Sequence, residues 1–255
     1  MKLSFRKLGS GKPLFILHGL FGSSDNWQTL GKQFAEKFTV YFVDQRNHGR
    51  SPHSAEHSYA LMSDDLLELI NSENLDKVML MGHSMGGKTA MYFAINHPEK
   101  VDKMVVVDIS PKKYPVTNQD IIDVLEKVNL TIVKSRKEVE EILSRDIKDP
   151  GTLQFLLKNL YWGDSQKLAW RFNLEALKDN IALIGEVTPM PSTPLQMPVL
   201  FVKGEKSDHI FNADKLIPAM FANAKMVTIP DAGHWVHANK PVEFFTLVND
   251  FLSEN

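Results

Sequence analysis

The chain has 255 residues, of which 43% are hydrophobic and 24% charged, so it is expected to fold as an ordinary soluble protein. Lysine and arginine total 29 against 31 aspartate and glutamate, and this balance gives no electrostatic footprint for nucleic acid or an anionic membrane. The absence of cysteine excludes disulfides, thiolate catalysis and cysteine-ligated metals. The N-terminus is too polar for a signal peptide and no apolar stretch approaches about 18 residues, so a cytoplasmic location is predicted.

The first half of the chain alternates apolar runs of strand length with helical patterns. Continuous apolar runs are typical of strands that are buried on both faces of a parallel sheet. The predicted strands are 14–17, 39–43, 78–81 and 103–109, and the predicted helices are 23–37, 58–73 and 89–95. This alternation indicates an α/β fold with a doubly wound, mostly parallel sheet and right-handed crossovers.

The alternation stops after Pro111. From there to about residue 195 the sequence shows helical patterns and no convincing strand, and its last part is a proline-rich linker. We predict a helical cap, residues 112–194, over the active-site end of a core formed by 1–111 and 195–255. Extra helices packed at the sheet edge are the alternative. Strand patterns return at 198–204 and 225–230, and helical patterns at 214–222 and 241–252.

The segment around Ser84 carries the main functional signal. An apolar strand runs into Gly82-His83-Ser84-Met85-Gly86 and then into a helical pattern, which is the context of a nucleophile elbow. A serine at the apex of such a turn has a strained backbone, and glycines two residues before and after it avoid a side-chain collision. The turn holds the serine hydroxyl out in a cleft. Ser84 is therefore predicted to be a nucleophile.

A nucleophilic serine needs a base within hydrogen-bond reach and a third group that orients the base. His234 follows a strand in a glycine-flanked loop and is the predicted base. The acid is either Asp108, at the end of the strand after the elbow, or Asp208, after the strand at 198–204. The chain order Ser, Asp, His is that of α/β hydrolases. His237 completes an H-x-x-H pair with His234, but no zinc-protease carboxylate accompanies it, so no metal is expected.

An oxyanion hole needs two fixed N–H donors. The backbone amides of Met85 and Leu20 are predicted to supply them, with the amide of Phe21 as the alternative to Leu20. His18 and His48 each lie beside a glycine in a turn-rich stretch, and we interpret both as loop scaffolding.

Aromatic residues are the candidates for lining the substrate pocket. Trp235 follows the predicted base directly and is expected to wall the acyl pocket. Phe21, Trp162 and Trp170 are further candidates, although aromatic side chains more often belong to the core. The early Gly9–Pro13 turn lacks the spacing of a phosphate loop.

Six motifs together resemble the α/β-hydrolase family, specifically the bacterial YbfF-type esterases and their mitochondrial relatives. The resemblance spans nearly the whole chain and is far more specific than the elbow alone. It implies the α/β-hydrolase fold with the cap inserted before the seventh strand. The motifs are His18-Gly19-Leu20-Phe21-Gly22, Asp44-Gln45-Arg46-Asn47-His48-Gly49-Arg50-Ser51, Gly82-His83-Ser84-Met85-Gly86-Gly87-Lys88, Val107-Asp108-Ile109-Ser110-Pro111, Trp170-Arg171-Phe172-Asn173 and Gly233-His234-Trp235-Val236-His237-Ala238.

The resemblance also bears on the acid. Many members of the superfamily carry it as G-x-x-D after the seventh strand, whereas this chain has Ser207 at that position and Asp208 one residue later. The YbfF-type esterases are similar in lacking that acid and using an aspartate at the end of the preceding strand. That position matches Asp108, so the resemblance favours Asp108 over Asp208.

The activity implied by the resemblance is hydrolysis of carboxylic esters through an acyl-enzyme, without a cofactor. One alternative is an acyl-CoA thioesterase with the same triad, for which Lys112, Lys113, Arg46 and Lys88 would supply a basic rim. Another is a non-catalytic protein that binds a small ligand on a hydrolase fold. The expected partner is a small-molecule ester or thioester rather than nucleic acid or a membrane, and the sequence does not predict the oligomeric state.

Overall fold

The computed structural model describes residues 1–115, 119–163, 166–211 and 214–254. Seven strands form one sheet in which only the edge strand β1 runs antiparallel to its neighbour. The strands are β1 (Phe5–Leu8), β2 (Pro13–Leu17), β3 (Thr39–Val43), β4 (Val78–His83), β5 (Val101–Val107), β8 (Val199–Gly204) and β9 (Ala224–Ile229). Their order across the sheet is β1-β3-β2-β4-β5-β8-β9. The prediction of a mostly parallel sheet is confirmed.

Helices cover both faces of this sheet. They are α1 (Gln28–Phe34), α2 (Tyr59–Ser72), α3 (Met85–Asn96), α9 (Leu216–Met220), α10 (Val236–Asn239) and α11 (Pro241–Ser253). Every residue of β4 is buried, because alternate side chains enter two different cores. Val78 and Leu80 pack with α2, α3 and α9, whereas Met79 and Met81 pack with α1 and α11. The sheet is therefore doubly wound, as predicted.

Two predicted helices are shorter than expected. The helix predicted at 23–37 is divided into a 3-10 turn, Ser24–Trp27, and α1. The helix predicted at 214–222 is limited to α9, which contains Pro218, a residue without an N–H to donate. In contrast, α2 starts where predicted, since the Ser58 side chain caps it by accepting from the amide of Leu61. Within the described ranges, none of the helices has both the length and the apolar character needed to cross a bilayer.

The insert, which we define as residues 112–194, connects β5 to β8. Its helices are α4 (Gln119–Glu126), α5 (Arg136–Leu143), α6 (Pro150–Leu157), α7 (Leu174–Asp179) and α8 (Ile181–Ile184). The prediction that it contains no strand is wrong, because β6 (Leu160–Trp162) and β7 (Leu168–Trp170) form an antiparallel pair. Each of these strands has three residues, too few to show alternation in sequence. Residues 116–118 and 164–165 of the predicted cap lie outside the described residues.

The insert lies over the end of the sheet at which the parallel strands terminate. Its buried side chains, among them Ile122 and Leu156, share one apolar cluster with Leu20, Phe21 and Met85 from the loops at that end. The two ends of the insert also pair with each other. We call residues 111–114 and 185–188 the stem; its hydrogen bonds run from Thr188 N–H to Pro111 O, at 2.8 Å, and from Tyr114 N–H to Gly185 O, at 2.7 Å.

Candidate active site

The turn between β4 and α3 has the strained geometry expected of an elbow. Ser84 has φ 51° and ψ −117°, a backbone conformation that residues with side chains rarely adopt. A Cβ on Gly82 would lie 2.2 Å from the carbonyl oxygen of Gly86, and one on Gly86 would lie 2.3 Å from that of Leu17. Only glycine fits either position, so the elbow geometry inferred from G-x-S-x-G is confirmed.

Asp108 lies immediately after β5, fully buried and with φ 50°. Its Oδ2 atom accepts a hydrogen bond from Nδ1 of His234 at 2.8 Å and another from the hydroxyl of Ser207. Its Oδ1 atom accepts from the amide of Gly204 at 3.0 Å. Three donors thus hold the carboxylate in one orientation. Since Nδ1 of His234 carries the donated proton, the neutral ring presents an unprotonated Nε2.

Of the two candidate aspartates, the structure brings only Asp108 to the predicted base. Asp208 has an exposed side chain, whereas Asp108 contacts His234 directly. Ser207 stands at the G-x-x-D position but does not take the place of the acid. Its hydroxyl donates a hydrogen bond to Asp108. The carboxylate from β5 and the loop after β8 therefore meet beside the same imidazole.

His209 is a component of this site that sequence reasoning missed. Its ring stacks on that of His234, with centroids 3.8 Å apart and planes 19° apart, and its Nδ1 lies 3.2 Å from the oxygen of Ser207. Ser207 has one proton and gives it to Asp108, so Nδ1 of His209 must be the donor in that contact. Burial, and next the nearby imidazole of His234, lower the pKa of His209 to about 4. His209 is therefore neutral near pH 7, and only the folded chain shows that it meets His234.

The predicted oxyanion donors come from two places, the start of α3 and the loop after β2. Met85 is the first residue of α3, so its amide is among those that a helix leaves without an internal acceptor. The amide of Phe21, the alternative donor, is already bonded to Nε2 of His48 at 3.2 Å. No hydrogen bond to the Leu20 amide is present among the described residues. The geometry thus leaves Leu20 and Met85, rather than Phe21, free to bind an oxyanion.

Histidines 18 and 48 hold this loop, as predicted from their positions. Nε2 of His18 accepts from the amide of Gln45 at 3.0 Å, and Nδ1 of His48 lies 2.9 Å from the carbonyl oxygen of Arg46. Both rings are buried, and this burial lowers the pKa of each imidazole. A neutral His48 has one donor and one acceptor nitrogen, which match Arg46 O and Phe21 N–H.

Two cavities meet at Ser84. The front cavity, of about 190 Å³, is lined by Ser84 and His234 together with residues of the insert. The rear cavity, of about 50 Å³, is lined by Ser84 and Met85 together with the stem. Leu20 and His209 line both cavities. A third cavity of about 520 Å³ shares Trp235 and His234 with the front cavity and opens beside α6.

The four aromatic candidates do not all reach these cavities. Phe21 and Trp235 line the front cavity. Trp170 is buried, with its ring stacked 5.2 Å from that of Phe172, and it is part of the core beneath the insert. Trp162 is 53% exposed at the end of β6. The structure thus places Trp162 and Trp170 outside the pocket. The pairing of β6 with β7 sets the direction of both side chains, and the sequence did not reveal this hairpin.

The structure also excludes Arg46 and Lys88 from the basic rim that was considered for binding CoA phosphates. Arg46 is buried and forms a bidentate ion pair with Asp65, at 2.7 and 3.0 Å. Lys88 is 1% exposed beneath the stem. Neither cation can contact a phosphate at the cavity mouth.

One group of possible metal ligands occurs among the described residues. Asp108, His209 and His234 offer atoms that all lie within 4.8 Å of one another. The Nδ1 atoms of both rings already carry protons that they donate, and the two rings are stacked face to face. These lone pairs do not converge on a common point, so the arrangement fits a hydrogen-bonded dyad better than a metal centre.

Comparison with known proteins places the chain in a family. Residues 12–241 match the model of the family that is described as "alpha/beta hydrolase fold". Over 248 residues the chain is 33% identical to esterase YbfF of Escherichia coli (strain K12), covering 96% of this chain and 94% of that protein. Over 251 residues it is 38% identical to the sn-1-specific diacylglycerol lipase ABHD11 of Mus musculus, covering 94% and 80%.

A solved structure agrees closely. The structure titled "Marine microorganism esterase" matches with a TM-score of 0.96 and 45% identity, covering 98% of this chain and 99% of that one. The chain belongs to the α/β-hydrolase family, and these matched relatives are named esterases or lipases.

Proposed function

We propose that this protein is a serine carboxylesterase that hydrolyses small to medium acyl esters through an acyl-enzyme. In this proposal Ser84 is the nucleophile, His234 the base and Asp108 the group that orients it. The amides of Leu20 and Met85 form the oxyanion hole. The observation that carries the proposal is the 2.8 Å hydrogen bond from His234 to buried Asp108, beside a cavity that His234 shares with the elbow serine.

The reaction follows from the protonation states of these groups. Nε2 of His234 takes the proton of Ser84 as the serine oxygen attacks the ester carbonyl carbon. The oxyanion that forms accepts hydrogen bonds from the two amides. The intermediate then collapses, and the imidazolium returns the proton to the departing alcohol. In the second half, His234 takes a proton from water as the water attacks the acyl carbon, and the imidazolium returns that proton to the Ser84 oxygen as the acid leaves. Asp108 holds Nδ1 of His234 and stabilises each imidazolium.

We further infer that residues 112–194 act as a cap that limits the size of the substrate. In support, the insert shares an apolar cluster with loops at the catalytic end of the sheet, and Ile121, Phe155 and Leu156 line the front cavity. Cavities of about 190 and 50 Å³ suit a compact ester better than a bulky one. The mouse relative is named a diacylglycerol lipase, so a diacylglycerol belongs in the substrate panel.

The decisive test is steady-state hydrolysis of p-nitrophenyl esters of increasing acyl length by wild type and Ser84→Ala. We expect the variant to lose about 10⁴-fold or more in kcat, because the remaining groups cannot form the acyl-enzyme. Thermal unfolding of both proteins provides the control for folding. Full activity in a folded Ser84→Ala enzyme would end the proposal. A wild type that binds esters but turns none of them over would favour the ligand-binding alternative.

A further inference from the structure

A buried lysine that takes no part in the proposed chemistry lies beneath the stem. Lys88 is in the first turns of α3, four residues after Ser84, and is 1% exposed. Its ammonium donates to the carbonyl oxygen of Lys112 at 2.9 Å and to that of Glu186. One acceptor belongs to the segment that enters the insert and the other to the segment that leaves it. Lys88 thus joins both sides of the stem to the nucleophile's helix.

The surroundings of this ammonium are built for a cation. Its nitrogen lies 5.0 Å from the ring centroid of Tyr114 and 5.9 Å from that of Tyr59. A buried ammonium is unfavourable unless hydrogen bonds and aromatic faces replace its water, and both are present here. Burial nevertheless lowers the pKa of Lys88 to about 8. An apolar side chain of similar size would fill the same space without the free-energy cost of burying a charge. The presence of a lysine at this position therefore requires an explanation.

The aromatic neighbours of Lys88 form part of the wall of the rear cavity. Tyr59, Tyr114 and Gly185 all line it, and Gly185 directly precedes Glu186. The hydroxyl of Tyr59 also donates to the carbonyl oxygen of Ile184, at 2.7 Å. The side chain that contacts this wall therefore comes from α3, one helical turn after Ser84.

The proposed chemistry directs the acyl chain toward the rear cavity. His234 must return its proton to the leaving oxygen, and it lines the front cavity, so the alcohol departs through the front. The acyl chain then points away from His234, past Met85. There Ile109, Ile181 and Ile184 contribute apolar side chains to the lining, and the space is only about 50 Å³.

We propose that Lys88 is a positioning residue that determines acyl-chain length, because it ties the stem to α3 and so keeps the rear cavity small. This inference rests on the proposed esterase function and deepens it. If Lys88 is lost, the stem separates from the helix and the cavity accepts a longer acyl chain.

The test compares kcat/KM for p-nitrophenyl acetate and octanoate. Lys88→Met keeps the length of the side chain and removes the donors, so the octanoate-to-acetate ratio should rise about tenfold, the discrimination typical of an altered apolar pocket. Lys88→Arg keeps a charged donor and should stay near the wild-type ratio. The matched control is Lys103→Met. Lys103 is also buried and donates to two carbonyls, of Phe251 and Glu254, but at the opposite end of β5 from Asp108.

A purely structural lysine would lower the melting temperature and leave the ratio unchanged, which is the result expected of Lys103→Met. The same result for folded Lys88→Met would overturn the proposal. Ile184→Ala enlarges the rear cavity without touching Lys88 and should raise the ratio as well, so it tests the cavity if Lys88→Met does not fold. An unchanged ratio in Ile184→Ala would show that the acyl chain lies elsewhere. In either case the esterase proposal would stand, since it depends on Ser84→Ala.

Discussion

Replacing Asp108 with asparagine tests the catalytic arrangement at its most specific point. The carboxylate accepts from His234 and Ser207 on one oxygen and from Gly204 on the other. An asparagine amide either turns its NH₂ toward His234 and forces the wrong tautomer, or leaves one buried donor without an acceptor. Loss of the correct tautomer costs about 10⁴-fold in kcat, which at ~1.36 kcal/mol per factor of ten is ~5.4 kcal/mol.

The backbone makes Asp108→Asn a clean substitution. Asp108 has φ 50°, a conformation that asparagine tolerates and most other residues do not, so the fold should be retained. The assay is kcat/KM for p-nitrophenyl butyrate between pH 7 and 9, with thermal unfolding in parallel. Asp208→Asn is the matched control and should behave as wild type, because that side chain is exposed. Activity within about tenfold of wild type in folded Asp108→Asn, or a collapse in Asp208→Asn alone, would refute this account.

Two further predictions follow from the loops and from the buried histidines. In Gly19→Ala the new Cβ would lie 2.8 Å from Nδ1 of His83, so the loop after β2, which holds a proposed oxyanion donor, must shift. We expect kcat to fall about 10²-fold. An effect on KM alone would contradict this. Burial lowers the pKa of His57 and of His237 to about 3, below the unfolded value near 6.5. The unfolded chain therefore binds more protons between these pH values, and each histidine removes up to ~1.4 kcal/mol of stability per unit as the pH falls through this window. Melting temperatures measured from pH 7 to 4 should drop steeply, and less so in His237→Phe, whose ring can still stack on Trp27; identical profiles would count against this explanation.

The features that sequence reasoning predicted are those that local physics determines. Continuous apolar runs predicted β2 to β5, because a strand covered on both faces must be apolar throughout. Glycines 82 and 86 predicted the elbow, because no other residue fits there. Both inferences need only a short window of the chain.

The features that it missed depend on which distant residues meet. The contact between His209 and His234 joins the loop after β8 to the loop after β9, and no spacing rule announces a stacked pair. The chain alone left Asp108 and Asp208 equally able to reach the base, and only family resemblance favoured Asp108. Trp170 was a candidate for the pocket because of its residue type, yet its direction is set by the pairing of β6 with β7.

The meeting of the two ends of the insert has an evolutionary consequence. Because Tyr114 and Gly185 are hydrogen-bonded neighbours, the roughly 70 residues between them form an insertion whose two ends lie side by side. Such an insertion can be lengthened, shortened or exchanged without moving the strands that precede Ser84 and Asp108. Under the proposed function, selection can therefore remodel substrate recognition as a separate module, while the proposed catalytic groups remain in place.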